Sequence, residues 1–240
     1  MSAEPAFRYA FAQSPCGGLA FELAGIEALL RASGALWLGA ERALVVADLH
    51  LEKGSAYAAR GQLLPPYDTR ETLARLTAEA ARLRPRTIVL LGDTLHDKTA
   101  EDRLDAEDAR SLGALAAVAE LVWIVGNHDA DGPKGLPGQA AASLDIAGLT
   151  LVHEPAPAPR WGEVAGHLHP CARVKARGEG TRRRCFVSDG ERLVMPAFGS
   201  FTGGLSIRDA AFTNLFRRRP LAIALGARRA HAVGWAQLGG

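Results

Sequence analysis

Cysteine is scarce in this chain: three residues, Cys16, Cys171 and Cys185, out of 240. So small and odd a number excludes a disulfide framework and makes a reducing cytoplasm the expected compartment. Long apolar runs are missing too. None approaches the roughly 20 residues of a membrane helix, so no membrane association is expected. Residues 1–16 contain neither the basic region nor the apolar stretch of a secretory leader. Aromatic residues make up only 6% of the chain and nowhere gather into a platform for stacked bases.

What is present suits a globular protein: 48% hydrophobic and 22% charged residues. The length fits one large domain or two small ones. With no repeat and no linker, a single domain over residues 1–240 is expected, with a motif core at 44–170 and a basic part at 171–240. The net charge of +2 is unevenly divided. Residues 1–159 hold 14 Lys/Arg and 21 Asp/Glu, a balance of −7, whereas residues 160–240 hold 14 and 5, a balance of +9. The runs Arg182-Arg183-Arg184 and Arg217-Arg218-Arg219 could receive a polyanion or simply be a solvated surface.

Along the chain, residues 1–20 read as an irregular lead-in, and Gly25 and Gly34 divide short strands between 21 and 38. Leu44-Val45-Val46-Ala47 reads as a buried strand ending in Asp48-Leu49-His50. A loop with a short helical piece follows between Gly54 and Pro66. Asp68 is a candidate N-cap for a helix over 69–83, which Pro85 stops. Thr87-Ile88-Val89-Leu90-Leu91 is the next strand, ending in Gly92-Asp93, and 105–121 reads as an alanine-rich helix. Val122-Trp123-Ile124-Val125 then runs into Gly126-Asn127-His128-Asp129. Leu149-Thr150-Leu151-Val152 ends at His153, and Val164-Ala165 leads to Gly166-His167-Leu168-His169. Residues 184–208 read as closely spaced β-structure, and the tail from 212 is unreadable. Helices early and strands late point to a layered α/β sandwich.

The polar residues at these strand ends form five clusters: Asp48/His50, Asp93, Asn127/His128, His153 and His167/His169. Each residue alone reads as a cap, a turn former or a satisfied polar group. Together they change the reading, because six of the seven histidines lie in these clusters or their loops and only His231 lies in the tail. The alternate spacing of Asp48 and His50, and of His167 and His169, sends each pair the same way from an extended backbone. Two carboxylates, one amide and four imidazoles are too many for one tetrahedral ion and suit two ions with a shared carboxylate. With no cysteine in the set, hard or borderline ions such as Mn²⁺, Fe²⁺ or Zn²⁺ fit. His128 can carry a proton near neutral pH, and Asp129 could orient it. Lys53 is a candidate phosphate contact or a solvated lysine. Cys171, close after His169, reads as a buried small hydrophobe.

Asp48-x-His50, Gly92-Asp93, Gly126-Asn127-His128-Asp129, His153 and Gly166-His167-x-His169 resemble the five motifs of calcineurin-like metallophosphoesterases. A closer resemblance is to the bacterial ligase-associated DNA damage response endonucleases, which are Mn²⁺-dependent phosphoesterases. It is carried by Asp48-Leu-His-Leu-Glu-Lys-Gly54, Leu64-Pro-Pro-Tyr-Asp68, Gly92-Asp-Thr-Leu-His-Asp97 and Met195-Pro-Ala-Phe-Gly199. The resemblance implies a four-layer α/β fold, two mixed sheets flanked by helices. It places Asp48, His50 and His169 on one ion and Asn127, His153 and His167 on the other, with Asp93 bridging. His128 would be the non-ligand acid, with Asp129 behind it. His96 stands where many members have an Asp, so His96 and Asp97 have no assigned role.

Two such ions acidify a water for attack on phosphorus, and protonated His128 would supply the proton for the leaving oxygen. The expected substrate is a phosphodiester in single-stranded DNA, with the basic part following the backbone and a functional link to a repair helicase, nuclease and ligase. A small-molecule phosphodiesterase or phosphomonoesterase is the alternative, and a non-catalytic scaffold a more distant one.

Overall fold

The computed structural model describes residues 11–62, 67–176, 179–235 and 238. Their strands form two sheets. The first contains β1 (Phe11–Gln13), β2 (Leu19–Leu23), β3 (Ile26–Leu30), β4 (Leu36–Leu38), β5 (Ala43–Ala47), β6 (Thr87–Leu91), β7 (Glu120–Ile124) and β8 (Gln139–Ala141), paired in chain order. Neighbours are antiparallel as far as β5 and parallel from β5 to β8. The second contains β9 (Ser143–Ile146), β10 (Leu149–Val152), β11 (Glu163–Ala165), β12 (Cys171–Ala176), β13 (Glu179–Ser188), β14 (Leu193–Val194), β15 (Leu221–Leu225) and β16 (Ala230–Val233). Its order is β16-β15-β13-β14-β11-β10-β9, with β12 against β13; β10, β11 and β14 run parallel and the other pairs antiparallel. Both sheets are mixed, as expected.

The all-apolar strands are those buried on both faces. Alternate residues of β5 go to different cores: Ala43, Val45 and Ala47 face the second sheet, and Leu44 and Val46 face the helices. The helices are α1 (Lys53–Ala58), α2 (Asp68–Leu83), α3 (Ala100–Arg103) and α4 (Ala106–Val118). Leu73, Leu76 and Ala80 of α2, with Leu112 and Leu115 of α4, cover β5 to β7 on that side. On the outer face of the second sheet, Ile207, with Phe216 and Trp235 packed against it, covers Val187, Ala222 and Ala224. Irregular chain and one 3-10 turn (Ala210–Phe212) form this fourth layer. No helix among the described residues is long and apolar enough to cross a membrane.

Several local expectations change. Asp68 is not an N-cap: Tyr67 precedes the helix, and the buried Asp68 carboxylate accepts the Gly54 N–H at 2.9 Å. Asp105 does cap α4, accepting from Glu107 N at 2.7 Å. That helix ends at Val118 rather than 121, because the β6 register takes Glu120 and Leu121 into β7. Phe11–Gln13 and Leu19 are in strands instead of an irregular lead-in, while residues 1–10 and the Leu64-Pro-Pro stretch lie outside the described residues. Residues 195–204 are mostly irregular rather than β, yet Met195, Ala197 and Phe198 are buried. Their backbone docks on β5 through Phe198 N to Ala47 O at 2.7 Å and Gly199 N to Asp48 O at 3.2 Å. The tail supplies β15 and β16.

Candidate metal centre

Every candidate ligand follows the C-terminal end of a strand with a parallel neighbour: Asp48 and His50 after β5, Asp93 after β6, Asn127 after β7, His153 after β10, and His167 and His169 after β11. Strand ends of this kind deliver side chains from a rigid frame into one crevice. The delivery is not the extended one expected from the spacing. Asp48 (φ 52), His50 (φ 46), Asp93 (φ 45), His167 (φ 67) and His169 (φ 45) are all left-handed. Each reverses the chain sharply, and neighbouring loops hold the reversals: His50 N donates to Asp93 O at 2.9 Å and Gly166 N to His153 O at 2.9 Å. The motif glycines leave room for the ligands. A Cβ on Gly166 would stand 2.6 Å from Asp48 Oδ2, and one on Gly92 2.6 Å from the Cβ of His153.

The candidate ligands form two groups, Asp48/His50/His169 and Asp93/His153/His167, with all atoms of each within 4.8 Å of one another; His50, His96 and His128 come equally close as a third, all-imidazole group. Within the first, His50 Nε2 is 3.3 Å from His169 Nε2, and His169 Nε2 is 3.3 Å from Asp48 Oδ1. Within the second, His153 Nε2 is 3.1 Å from His167 Nδ1 and 3.5 Å from Asp93 Oδ1. Asp93 also faces the first group, its Oδ2 3.9 Å from His50 Nε2. Ligands about 2.1 Å from a common ion stand about 3.0–3.4 Å apart, so these spacings fit two ions. The electrostatics fit as well. Asp48 and Asp93 are buried, and among the described residues neither has a Lys or Arg ion partner, only histidines. Buried carboxylates without cationic side chains call for bound cations. Burial, reinforced by His169 and His128, pushes His50 down to about 2, leaving a neutral imidazole with a lone pair to give. Asn127 stands at the exposed rim, with no side-chain hydrogen bond among the described residues.

His128 is 44% exposed and stands over this pair of groups, its Nε2 3.9 Å from Asp93 Oδ2 and its backbone N–H on Asp93 Oδ1 at 3.0 Å. Its orienting partner corrects the sequence reading. His128 Nδ1 lies 2.7 Å from the His96 carbonyl, and the two rings stack at 5.4 Å. Asp129 instead points away: Oδ1 accepts from Gly126 N at 2.9 Å, and Oδ2 from Thr94 N and Leu95 N at 2.8 and 3.1 Å. It ties the β7 loop to the β6 loop, and burial raises its pKa. A sequence cannot distinguish these two uses of a carboxylate one residue after a histidine.

Other residues near the site are engaged by their neighbours. Asp97 forms a forked pair with Arg103 at 2.8 and 3.1 Å. Despite burial, that pair holds its carboxyl well below the usual range. The His96 imidazole is lowered by burial, then by Lys53; Lys53 Nζ lies 6.0 Å from the Tyr57 ring centroid. Glu52 accepts from Thr69 Oγ1 at 2.9 Å, locking the turn after His50 to α2. Cys171 is buried, as expected, and burial raises its thiol pKa. Part of the C-terminal arginine excess is neutralised within the fold. Arg192 is 1% exposed and pairs with Glu163 at 2.9 Å, and the exposed Arg217 and Arg218 pair with Glu191.

The calcineurin-like phosphoesterase family model matches residues 41–186. The structure is similar to that of a nuclease, MPE, from Pseudomonas putida. That match has 28% sequence identity, a TM-score of 0.66, and coverage of 94% of this chain and 100% of that one. A phosphoesterase from E. coli aligns at 17% identity with a TM-score of 0.41, over 80% of this chain and 98% of that one. No curated protein matches the sequence significantly.

Proposed function

Because the chain belongs to the calcineurin-like phosphoesterase family and is thereby a metal-dependent phosphoester hydrolase, we propose that it is a Mn²⁺-dependent endonuclease acting on single-stranded DNA. The observation that supports the nuclease reading best is the similarity to the Pseudomonas putida nuclease over nearly the whole of both chains. On this reading Asp48, His50 and His169 hold one ion, Asn127, His153 and His167 the other, and Asp93 is shared. The ions supply Lewis acidity and a water acidic enough to lose its proton near neutral pH. The chain's own residues do the rest. The His96 carbonyl accepts from His128 Nδ1–H, which leaves Nε2, 3.9 Å from Asp93 Oδ2, free to carry the transferable proton. Protonated there, His128 gives its proton to the departing sugar oxygen. Asp129 and the motif glycines keep the loops, and hence the distances, fixed. We place the protein in the cytoplasm, with DNA as its partner and a functional link to a repair helicase, nuclease and ligase.

The test uses metal-stripped protein reloaded with Mn²⁺ and covalently closed single-stranded DNA circles, with Asp93→Ala protein as a control for contaminating nuclease. Linearisation by the parent alone is expected, because a circle offers no end. Intact circles with continued hydrolysis of an aryl phosphodiester would move the substrate to a small molecule. Failure on both would leave only a scaffold role.

A further inference from the structure

The chain from 197 to 204 runs past the metal centre with three arginines along it. Arg184 Nη1 donates to the carbonyls of Ala197, Phe198 and Gly199 at 2.9, 3.3 and 3.2 Å. Arg75, from α2, donates to the Phe198 carbonyl and lies 4.5 Å from the Phe198 ring centroid. Arg182, two residues from Arg184 and on the same face of β13, donates to the Gly204 carbonyl. This chain is tied to the centre at both ends. Gly199 N bonds Asp48 O at 3.2 Å, and Leu205 N bonds the carbonyl of Leu168, between His167 and His169, at 3.4 Å.

Among the described residues these three carry no neutralising carboxylate, a property they share with arginines away from the centre such as Arg42 and Arg208, and their place along residues 197–204 sets them apart. Arg31, Arg70, Arg103, Arg192, Arg217 and Arg218 each have a carboxylate within ion-pair distance. Among the described residues Arg75, Arg182 and Arg184 have none, and Glu71 acts on Arg75 and Arg184 only from further off. A guanidinium offers five N–H donors in a fork that matches phosphate. Arg184 bonds through Nη1 alone among the described residues, which leaves its other N–H donors unused.

We propose that Arg75, Arg184 and Arg182 form a row that binds phosphates flanking the scissile one, so that the strand is held by its backbone and not by its bases. The row rests on the nucleic-acid reading above. It also supplies what a chain without an aromatic platform needs to hold a single strand.

The test measures kcat/KM of the Mn²⁺ enzyme on a quenched-fluorescent oligothymidylate over a salt series, with an aryl phosphodiester in parallel. Arg182→Ala and Arg75→Gln are each expected to flatten the plot of log kcat/KM against log salt by about 0.7, the value of one single-strand phosphate contact. Turnover of the aryl diester should stay at the parent level, and Arg182→Lys should restore the slope. Unchanged slopes in both variants would overturn the row. Equal losses on the oligonucleotide and the aryl diester would also overturn it, in favour of a purely structural clamp on residues 197–199. A parent enzyme that hydrolyses the aryl diester but never cuts the oligothymidylate would sink the DNA reading itself.

Discussion

Replacing Gly92 by alanine probes the geometry of the centre most directly. Gly92 turns the chain at φ +72 between β6 and Asp93, and an added methyl would stand 2.6 Å from the Cβ of His153 and closer still to its ring. Ordinary van der Waals contact begins at 3.4 Å. The nearest ring atom, His153 Nδ1, would be 2.1 Å away, so the buried side chain has to retreat by about 1.3 Å, or the β6 turn has to open by as much. The left-handed backbone adds about 1 kcal/mol for alanine, and overpacking typically about 1–3 kcal/mol, so the folded state should lose about 2–4 kcal/mol. A reacting geometry displaced by about 1 Å slows a reaction about 100-fold. Urea denaturation of metal-stripped protein reads the first effect. The Mn²⁺ dependence of aryl phosphodiester hydrolysis reads the second, with more Mn²⁺ needed for half-maximal rate. A Gly92→Ala protein with the parent's Mn²⁺ dependence and turnover would show that the position of His153 against this turn does not set the site.

His128→Ala should slow hydrolysis of an alkyl phosphodiester, whose leaving group is a poor one, by about 100- to 10,000-fold while sparing nitrophenyl esters; equal losses in steady-state assays would exclude the acid role. Arg192→Met strands Glu163, which is 1% exposed, and should lower stability in urea by about 3–5 kcal/mol, with Glu163→Gln in the same chain recovering most of it. A loss under about 1 kcal/mol would mean that the pair is not isolated from solvent. Asp97 has its folded pKa depressed below 3.8 by Arg103, so the stability it adds is present above that pH and fades as pH falls below it. Asp97→Asn should therefore flatten the acid limb of a pH–stability curve while removing at most about 1 kcal/mol at pH 7; an unchanged acid limb would show that the pair contributes nothing.

The strands that carry the centre were readable because burial on both faces demands apolar runs, and β5, β6 and β7 each end where a glycine or acid interrupts such a run. Ligand chemistry was readable because strand-end Asp and His have little other reason to recur in that order. Conformation was not: alternate spacing suggested extended backbone at Asp48-x-His50, but only partner loops reveal that both residues are left-handed. Asp129 and Asp68 were misread for a related reason. A carboxylate next to a histidine or at a helix start has an evident local use, and both instead accept N–H groups from segments distant in sequence. Arginine runs were ambiguous because Arg184 bonds carbonyls, and Arg217 and Arg218 pair with Glu191, all supplied by other elements.

Left-handed backbone at five of the candidate ligands is itself informative. Each such residue costs about 1–3 kcal/mol, against a net stability of about 5–15 kcal/mol for a whole domain. That strain persists because the loops over-determine one another. Asp48 N bonds Gly92 O at 3.2 Å, His50 N bonds Asp93 O, and His167 N bonds the Asp48 carboxylate at 3.0 Å. The first two bonds join neighbouring strand ends of the first sheet, and the third crosses from the second sheet to the first. A site held this way has its ligand atoms spaced for ions by the fold itself, so the binding energy of the ions is not spent on ordering the chain. The same mutual support explains why substitutions at the motif glycines, which carry no chemistry, should disable the centre as effectively as loss of a ligand.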